Sequence, residues 1–258
     1  MKLVGDYHTH TVYSHGKGGI LENAESAKKQ GLSELGITDH GFSHPAYGVR
    51  RSDLLKMKTE CYDAAKKTGV NVLLGIEANI LNDSGKTDVK PRDYDSLDLY
   101  LAGFHKFVLT CPFSYMNLLL PNYFDAALRI KPSKRLIRET TKAYIEVIKK
   151  NPIDVIAHAN YCVFADVTEV AKACADYGTY MELNSKKTHL TDEELSNLLK
   201  TGVQFVVDSD AHCVDRVGDT VKVDEQLKRL DFPTDRIANV DGRLPDFRFK
   251  RFKEKGQL

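Results

Sequence analysis

Nine residues of this chain carry nitrogen or carboxylate atoms that can bind a metal ion, and they recur near the ends of segments rich in strand-forming residues. They are His8, His10, His15, His40, Glu77, His105, His158, Asp210 and His212. Seven of the nine histidines in the chain belong to this set. Imidazole and carboxylate ligands without thiolate are typical of zinc, manganese or iron. The set therefore predicts a metal site that holds more than one ion.

The elements that must position these residues alternate short β-rich segments with longer helical ones, which is typical of parallel strands joined by helices. We predict seven strands, at Leu3–Tyr7, Glu34–Thr38, Asn71–Ile76, Leu97–Phe104, Asp154–Ala157, Thr179–Leu183 and Val203–Val207. We predict helices at Leu21–Gln30, Ser52–Lys67, Ser133–Lys150, Asp166–Asp176, Asp192–Lys200 and Asp215–Leu230. In a barrel of parallel strands the carboxyl ends meet at one mouth, so the nine residues should converge there.

Two local patterns strengthen the metal prediction. His8 and His10 flank Thr9, and in an extended segment such a pair points both imidazoles to the same side. Glu77 follows the apolar segment from Val72 to Ile76. A carboxylate buried in such a setting is rarely tolerated without a partner, so a cation is expected beside it.

The composition favours one α/β barrel domain. A chain of 258 residues with 42% hydrophobic content is long enough for such a barrel, and its formal net charge is +1. We therefore expect no grip on polymeric nucleic acid and no membrane partner. The five cysteines form no metal-binding pair spacing, which indicates a reduced, cytoplasmic setting. No signal peptide or membrane span is expected, since no apolar run approaches ~20 residues.

Six short motifs carry a resemblance to a known family. They are Tyr7-His8-Thr9-His10-Thr11, Gly36-Ile37-Thr38-Asp39-His40-Gly41, Gly75-Ile76-Glu77-Ala78-Asn79, Ala102-Gly103-Phe104-His105, Ala157-His158-Ala159-Asn160 and Ser209-Asp210-Ala211-His212. Together they resemble the PHP family, named for polymerase and histidinol phosphatase, and in particular its YcdX-like stand-alone phosphatase branch. The resemblance implies a distorted (β/α)7 TIM-like barrel, with 1–258 forming a single PHP domain.

The same resemblance implies a site with three divalent transition metal ions, zinc or manganese, with iron as an alternative. In that arrangement His8, His10, Glu77 and Asp210 hold one ion. The bridging Glu77 holds a second ion with His105 and His158, and the third lies among His15, His40 and His212. Glu77 and Asp210 stand at the catalytic centre. Asp6 and Asp39, each next to a ligand, are candidates to orient imidazole rings, and a plain turn or helix cap is the alternative for both.

The predicted function is hydrolysis of a small phosphorylated metabolite or nucleotide, because clustered divalent ions activate water and brace phosphoryl oxygens. The alternatives are a histidinol-phosphate phosphatase, a PHP-type nuclease and a metal-binding scaffold without turnover. Basic residues after the strands are candidates to bind phosphate, and of these Lys17 and Arg216 are favoured. The candidates are Lys17, Arg50, Arg51, Lys106, Lys186, Lys187 and Arg216. His44 and His189 are weaker candidates for substrate contact.

The connection 106–131 departs from the expected branch because it is longer and rich in large apolar residues. A connection of this kind is usually functional or interfacial. A lid, a subunit contact in a homo-oligomer, and packing against the side of the barrel are the alternatives.

Overall fold

Seven parallel strands form the centre of the computed structural model, which describes residues 1–256. The strands are β1 (Gly5–Thr9), β2 (Glu34–Ile37), β3 (Asn71–Asn79), β4 (Leu99–Gly103), β5 (Val155–Ile156), β6 (Tyr180–Asn184) and β7 (Phe205–Asp208). Each pairs with the next in chain order. The predicted domain 1–258 includes residues 257 and 258, which lie outside the described part.

Helices surround the strands. They are α1 (Ile20–Lys29), α2 (Leu54–Thr68), α3 (Pro112–Ser114), α4 (Leu120–Leu128), α5 (Lys134–Lys150), α6 (Val167–Tyr177), α7 (Asp192–Leu198), α8 (Val221–Leu230) and α9 (Arg248–Lys255). A π-helical turn at Tyr115–Leu119 joins α3 to α4. The helical segment 112–128, inside the long connection, and α9 were not predicted.

The barrel closes between β1 and β7 without a regular ladder. The amide of His10 donates to Ala211 O at 2.8 Å, and the amide of Tyr7 donates to Asp208 Oδ1 at 2.7 Å. Asn239 fills the remaining gap, since its side chain donates to Gly5 O at 2.8 Å and to Val207 O at 2.7 Å. The predicted distorted (β/α)7 barrel is therefore confirmed, and side chains at this seam replace strand pairing.

The inward positions change character along the barrel. Its base is filled by the apolar cluster Tyr7, Leu99, Leu101, Val155, Val206 and Phe247. On β3, Leu73 packs on this cluster, and Glu77 lies four positions further towards the mouth. The larger apolar core lies between the strands and the helices. The barrel thus has an apolar base and a polar mouth.

The helix predicted at Asp215–Leu230 begins six residues later, at Val221. Gly218 interrupts it with a φ of 77°, a left-handed conformation that glycine adopts without a Cβ clash. The Gly218 amide donates to Asp6 Oδ2 at 2.8 Å, so the interruption also anchors the loop to β1. The other predicted helices begin and end within two residues of the observed bounds.

Candidate metal centre

Glu77 lies at the centre of the mouth and is fully buried. Its Oε1 lies 2.6 Å from His158 Nε2, 2.9 Å from His105 Nε2 and 3.3 Å from His8 Nε2. Its Oε2 lies 2.8 Å from His40 Nδ1. Each oxygen of one carboxylate therefore faces a different set of imidazoles.

A second carboxylate, that of Asp210, lies beside the pair formed by His8 and His10. Asp210 Oδ1 lies 3.4 Å from His10 Nε2 and 4.0 Å from His8 Nε2. It also lies 3.2 Å from His212 Nδ1. His8 and His10 point to the same side, with their Nε2 atoms 3.2 Å apart. Eight of the nine predicted ligands therefore converge on one buried cluster.

Four groups of ligand atoms lie within 4.8 Å of one another, close enough to share an ion. They are His8 with His10 and Asp210, His8 with Glu77 and His158, His40 with Glu77 and His105, and His10 with His40 and His212. His15 is in none of these groups. Its ring is more exposed and stacks on His40, with centroids 4.8 Å apart. The ninth predicted ligand thus lies beside the cluster.

Some of the potential metal-ligand atoms in this cluster are poorly satisfied by hydrogen bonds and are better suited to bind a metal ion. Glu77 Oε2 and His40 Nδ1 are buried and have no hydrogen-bond partner among residues 1–256, although they lie 2.8 Å apart. Native proteins rarely leave buried polar atoms unpaired. Two facing lone pairs become favourable when a cation lies between them. The residues present therefore fit a divalent metal.

Neighbouring residues orient two of the imidazoles. His8 Nδ1 donates to Glu182 Oε1 at 2.5 Å, which leaves the Nε2 lone pair of His8 free to bind an ion. His105 Nδ1 lies 2.8 Å from Asn79 Oδ1, with the same consequence for its Nε2 atom. Glu182 Oε2 also accepts from the His158 amide at 2.6 Å. Glu182 thus positions two of the predicted ligands.

Glu182 is a functional residue that was not predicted, although its sequence carries a signal. Like Glu77, it is an acidic residue in an apolar strand, between Met181 and Leu183, and it is buried. For Asp6 and Asp39 the structure favours the turn alternative over the orientation of imidazoles. Asp6 accepts from Ser209 Oγ at 2.6 Å, and Asp39 accepts from the Thr11 amide at 2.7 Å, so both hold loops.

The electrostatics of the cluster keep the carboxylates ionised. Burial raises the pKa of Glu77, but the rings of His105, His8, His158 and His40 outweigh burial and hold that pKa well below its usual range. Burial lowers the pKa of His40 to about 3, although Glu77 opposes the shift. Burial also lowers the pKa values of His8 and His158, but the facing carboxylates of Glu77 and Glu182 outweigh burial and raise both. Metal binding at these two rings would therefore release protons.

The backbone is strained where two ligands leave their strands. His158 and Asp210 have φ values of 29° and 48°, in the left-handed region that residues with a Cβ seldom adopt. Such conformations cost of order 1–3 kcal/mol each and cluster at functional sites. The strain turns both side chains into the mouth.

A cavity of about 470 Å³ opens above the cluster. It is lined by His15, His40, His44, Tyr47, His105, Lys106, Phe107, His158, Tyr161, Lys186, Lys187, His189, Asp210 and His212. The lining includes His44 and His189 but neither Lys17 nor Arg216. Arg216 pairs with Asp219 at 2.8 Å, and Arg51 pairs with Asp93 at 3.0 Å. The basic residues at the cavity are therefore Lys106, Lys186 and Lys187.

Lys186 lies closest to the predicted ligands. Its Nζ is 3.2 Å from Asp210 Oδ1 and 3.1 Å from His212 Nδ1. Because Asn184 Oδ1 accepts from the Lys186 amide at 3.0 Å, the loop after β6 holds this lysine towards the metal cluster.

A parallel α/β barrel with imidazoles and carboxylates gathered at the carboxyl ends of its strands is typical of metal-dependent hydrolases. The chain belongs to the PHP domain family, whose model matches residues 6–186. The predicted resemblance is confirmed. Asp210 and His212 lie beyond the matched range, but the full-length relatives extend over them.

Relatives of similar length match almost the whole chain. A probable phosphatase of Acetivibrio thermocellus is 30% identical over 99% of this chain and 98% of its own length. A probable phosphatase of Photobacterium profundum is 29% identical over 98% of this chain and 97% of its own. A solved structure of histidinol phosphate phosphatase from Lactococcus lactis, complexed with zinc, L-histidinol and phosphate, superposes with a TM-score of 0.60. It is 15% identical over 96% of this chain and 98% of that one, so this likeness concerns the fold alone.

No helix within residues 1–256 is long and apolar enough to cross a membrane.

Proposed function

We propose that this protein hydrolyses a small phosphate ester at a cluster of up to three divalent metal ions. The main structural support is Glu77, a fully buried carboxylate whose two oxygens face four imidazoles at 2.6–3.3 Å. Its relatives along the full length are named as probable phosphatases. The predicted enzyme class, a hydrolase that acts on phosphate ester bonds, is confirmed.

The proposed ion positions are those that the family arrangement implies, and the group His8, His10 and Asp210 supports the first of them directly. His8, His10 and Asp210, with Glu77, would hold one ion, and Glu77 with His105 and His158 would hold a second. The third would lie among His15, His40 and His212. The two oxygens of Glu77 support a bridging role because they face different rings. Oε1 lies 2.6–3.3 Å from the Nε2 atoms of His158, His105 and His8, whereas Oε2 lies 2.8 Å from His40 Nδ1 and 3.7 Å from His10 Nε2. Zinc, manganese and iron all suit these ligands.

Bound divalent ions would supply Lewis acidity, which lowers the pKa of water and neutralises charge on phosphoryl oxygens. The side chains perform the remaining tasks. Glu77 and Asp210 bring negative charge that offsets the mutual repulsion of cations. Glu182 and Asn79 fix two imidazoles so that Nε2 is the donor atom. Lys186 would bind a phosphate oxygen. Its positive charge would also stabilise the negative charge that develops on the leaving-group oxygen.

The cavity supports a small substrate. A volume of about 470 Å³ is within the range of small-molecule sites. Tyr47, Phe107 and Tyr161 provide flat surfaces for an organic leaving group, and Lys187 adds positive charge at the rim. The lining therefore favours a metabolite over the PHP-type nuclease alternative, since a nucleic-acid polymer would need a long basic groove.

The test compares phosphatase activity with metal content. Protein loaded with manganese or zinc should hydrolyse an aryl phosphate and members of a panel of phosphorylated metabolites that includes L-histidinol phosphate, nucleoside monophosphates and oligonucleotides. Asp210→Asn should lower the rate by orders of magnitude while the circular dichroism spectrum is retained. Lack of activity on the whole panel by fully loaded wild-type protein would favour the metal-binding scaffold. Preference for oligonucleotides would favour the nuclease.

A further inference from the structure

The segment between β4 and α5 presents an exposed row of large apolar side chains, which we call the apolar ridge. The ridge consists of Phe107, Leu109, Phe113, Met116, Leu120, Phe124, Leu128 and Ile130. Phe113 and Phe124 are 76% and 58% exposed. Large contiguous apolar patches are uncommon on the surfaces of monomeric proteins and mark interaction sites.

The ridge follows the outer face of the helical segment 112–128. Phe113, Met116, Leu120, Phe124 and Leu128 are spaced by three or four residues, which places them on one side of a helix. The other side is already used, because Leu118, Leu119 and Tyr123 are buried against the barrel. The ridge is therefore an additional apolar face that residues 1–256 leave exposed.

Basic residues flank the ridge in sequence, mostly on its carboxyl-terminal side. Residues 106–138 contain six basic residues and one acidic residue, a net charge of +5, whereas the whole chain has +1. The basic residues Lys106, Arg129, Lys131, Lys134, Arg135 and Arg138 are all exposed. Arg138 lies 3.6 Å from Glu139, and the other five make no ion pair within residues 1–256. The near-zero net charge of the chain thus conceals a strongly basic region.

We propose that the apolar ridge and its basic flank dock on the surface of an anionic lipid bilayer. Phenylalanine and leucine side chains on a helix would enter the boundary between headgroups and acyl chains. Each exposed lysine or arginine near an anionic surface adds electrostatic attraction that salt weakens. The helical segment would lie in the plane of the membrane, which requires no transmembrane span.

Charge distinguishes this partner from a second copy of the chain. A twofold dimer through the ridge would bring two segments of charge +5 together, and like charges facing each other oppose association. The phosphates of a nucleic acid could pair with the basic residues, but they offer no apolar surface to cover the aliphatic side chains Leu109, Met116 and Leu128. A lipid surface satisfies both, since it offers negative headgroups above an apolar layer.

Docking would also orient the catalytic mouth. Lys106 and Phe107 line the cavity above the metal cluster, and Phe107 is 66% exposed. The ridge is therefore continuous with the rim of the mouth. A docked molecule would hold its cavity beside the headgroup layer. The inference concerns binding only and does not depend on the proposed hydrolysis.

Flotation of the full chain with phospholipid vesicles tests the proposal. Vesicles of phosphatidylcholine mixed with phosphatidylglycerol should bind the protein, binding should fall with added salt, and pure phosphatidylcholine should bind weakly. The double variant Phe113→Ser with Phe124→Ser and the triple variant Lys131→Glu, Lys134→Glu and Arg135→Glu should each weaken binding about tenfold or more. Circular dichroism and thermal unfolding verify that each variant is folded.

The matched control is Leu55→Ser with Tyr62→Ser on α2, where the side chains are 78% and 69% exposed. This pair removes equally exposed apolar groups far from the ridge in the chain and should leave vesicle binding unchanged. Failure of wild-type protein to float with anionic vesicles would overturn the proposal. So would equal binding by ridge and control variants, full competition by an oligonucleotide, or a wild-type dimer in solution that the ridge variants dissociate.

Discussion

The mouth and the base of the barrel both bury carboxylates, but these carboxylates differ in their hydrogen-bond partners. At the base, Asp154 accepts from the Tyr100 amide at 2.9 Å and from the Phe249 amide at 2.7 Å, so both of its oxygens are paired by backbone. At the mouth, Glu77 faces imidazole nitrogens, and its Oε2 has no hydrogen-bond partner within residues 1–256. A carboxylate whose oxygens are both paired by backbone serves the fold, whereas a buried carboxylate oxygen that no hydrogen bond satisfies indicates a binding site.

The pKa shifts follow the same contrast. Burial raises the pKa of Asp154 to about 7, although the two amides and nearby arginines oppose the shift. Burial also acts on Glu77, but four facing imidazoles hold its pKa well below the usual range. The base therefore favours a proton on its carboxylate, while the mouth favours negative charge that cations can neutralise.

The largest effect should follow from Glu77→Gln, which retains shape and removes charge. If Glu77 bridges two ions, loss of its charge lets them repel, so metal content should fall at two positions and turnover should be abolished. His15→Ala is the comparison, because this exposed ring should affect one ion. Elemental analysis and aryl phosphate hydrolysis measure both. Equal metal loss in the two variants would show that Glu77 is not a bridge.

Glu182→Gln should have a smaller effect, because Glu182 acts through His8 and His158. Loss of the charged hydrogen bond to His8 Nδ1 makes the Nε2 atom a poorer donor, so metal affinity should fall about 10–100-fold. Excess metal should restore most of the rate, which a purely structural defect would not allow. Glu194→Gln, at the exposed amino end of α7, is the control. Unchanged metal affinity in Glu182→Gln would contradict the role.

Lys186→Met tests which lysine binds phosphate. Removal of its ammonium group should raise KM for an aryl phosphate by about tenfold, equal to about 1.4 kcal/mol, while metal content stays the same. Lys17→Met should change KM little, because Lys17 is not at the cavity. A larger effect of Lys17→Met would restore the preference drawn from the sequence.

Asp154→Asn should have the smallest effect on catalysis and should alter stability instead. The pKa of Asp154 is about 7 in the folded chain against 3.8 for an ordinary carboxyl, so the folded state retains a proton that the unfolded state has released. The free energy of unfolding that this group contributes is fully present below about pH 4. It is lost as the pH rises to about 7. Urea unfolding of the variant at several pH values should therefore show no loss of stability between about pH 4 and about pH 7 from this group. A slope equal to that of wild type would contradict the raised pKa.

Much of the site was predictable because strand ends are encoded locally. Alternation of β-rich and helical segments placed His8, Glu77 and Asp210 at ends of parallel strands, and topology then required these ends to meet. Individual ligand roles remain predictions. Glu182 carried the same local signal as Glu77, yet its partner His8 is 174 residues away in sequence, so its role required the structure.

The sequence by itself determined the family, the order of the strands and the set of potential ligands, because these depend on residue type and periodicity along the chain. Tertiary structure decided which groups touch, since hydrogen bonds such as that from Tyr7 to Asp208 join distant segments. It also placed Lys186 at the cavity in preference to Lys17 and Arg216. The helix in the long connection escaped prediction because both of its faces are apolar, which leaves no contrast of polarity to reveal its period. Only folding showed which of those faces the barrel covers.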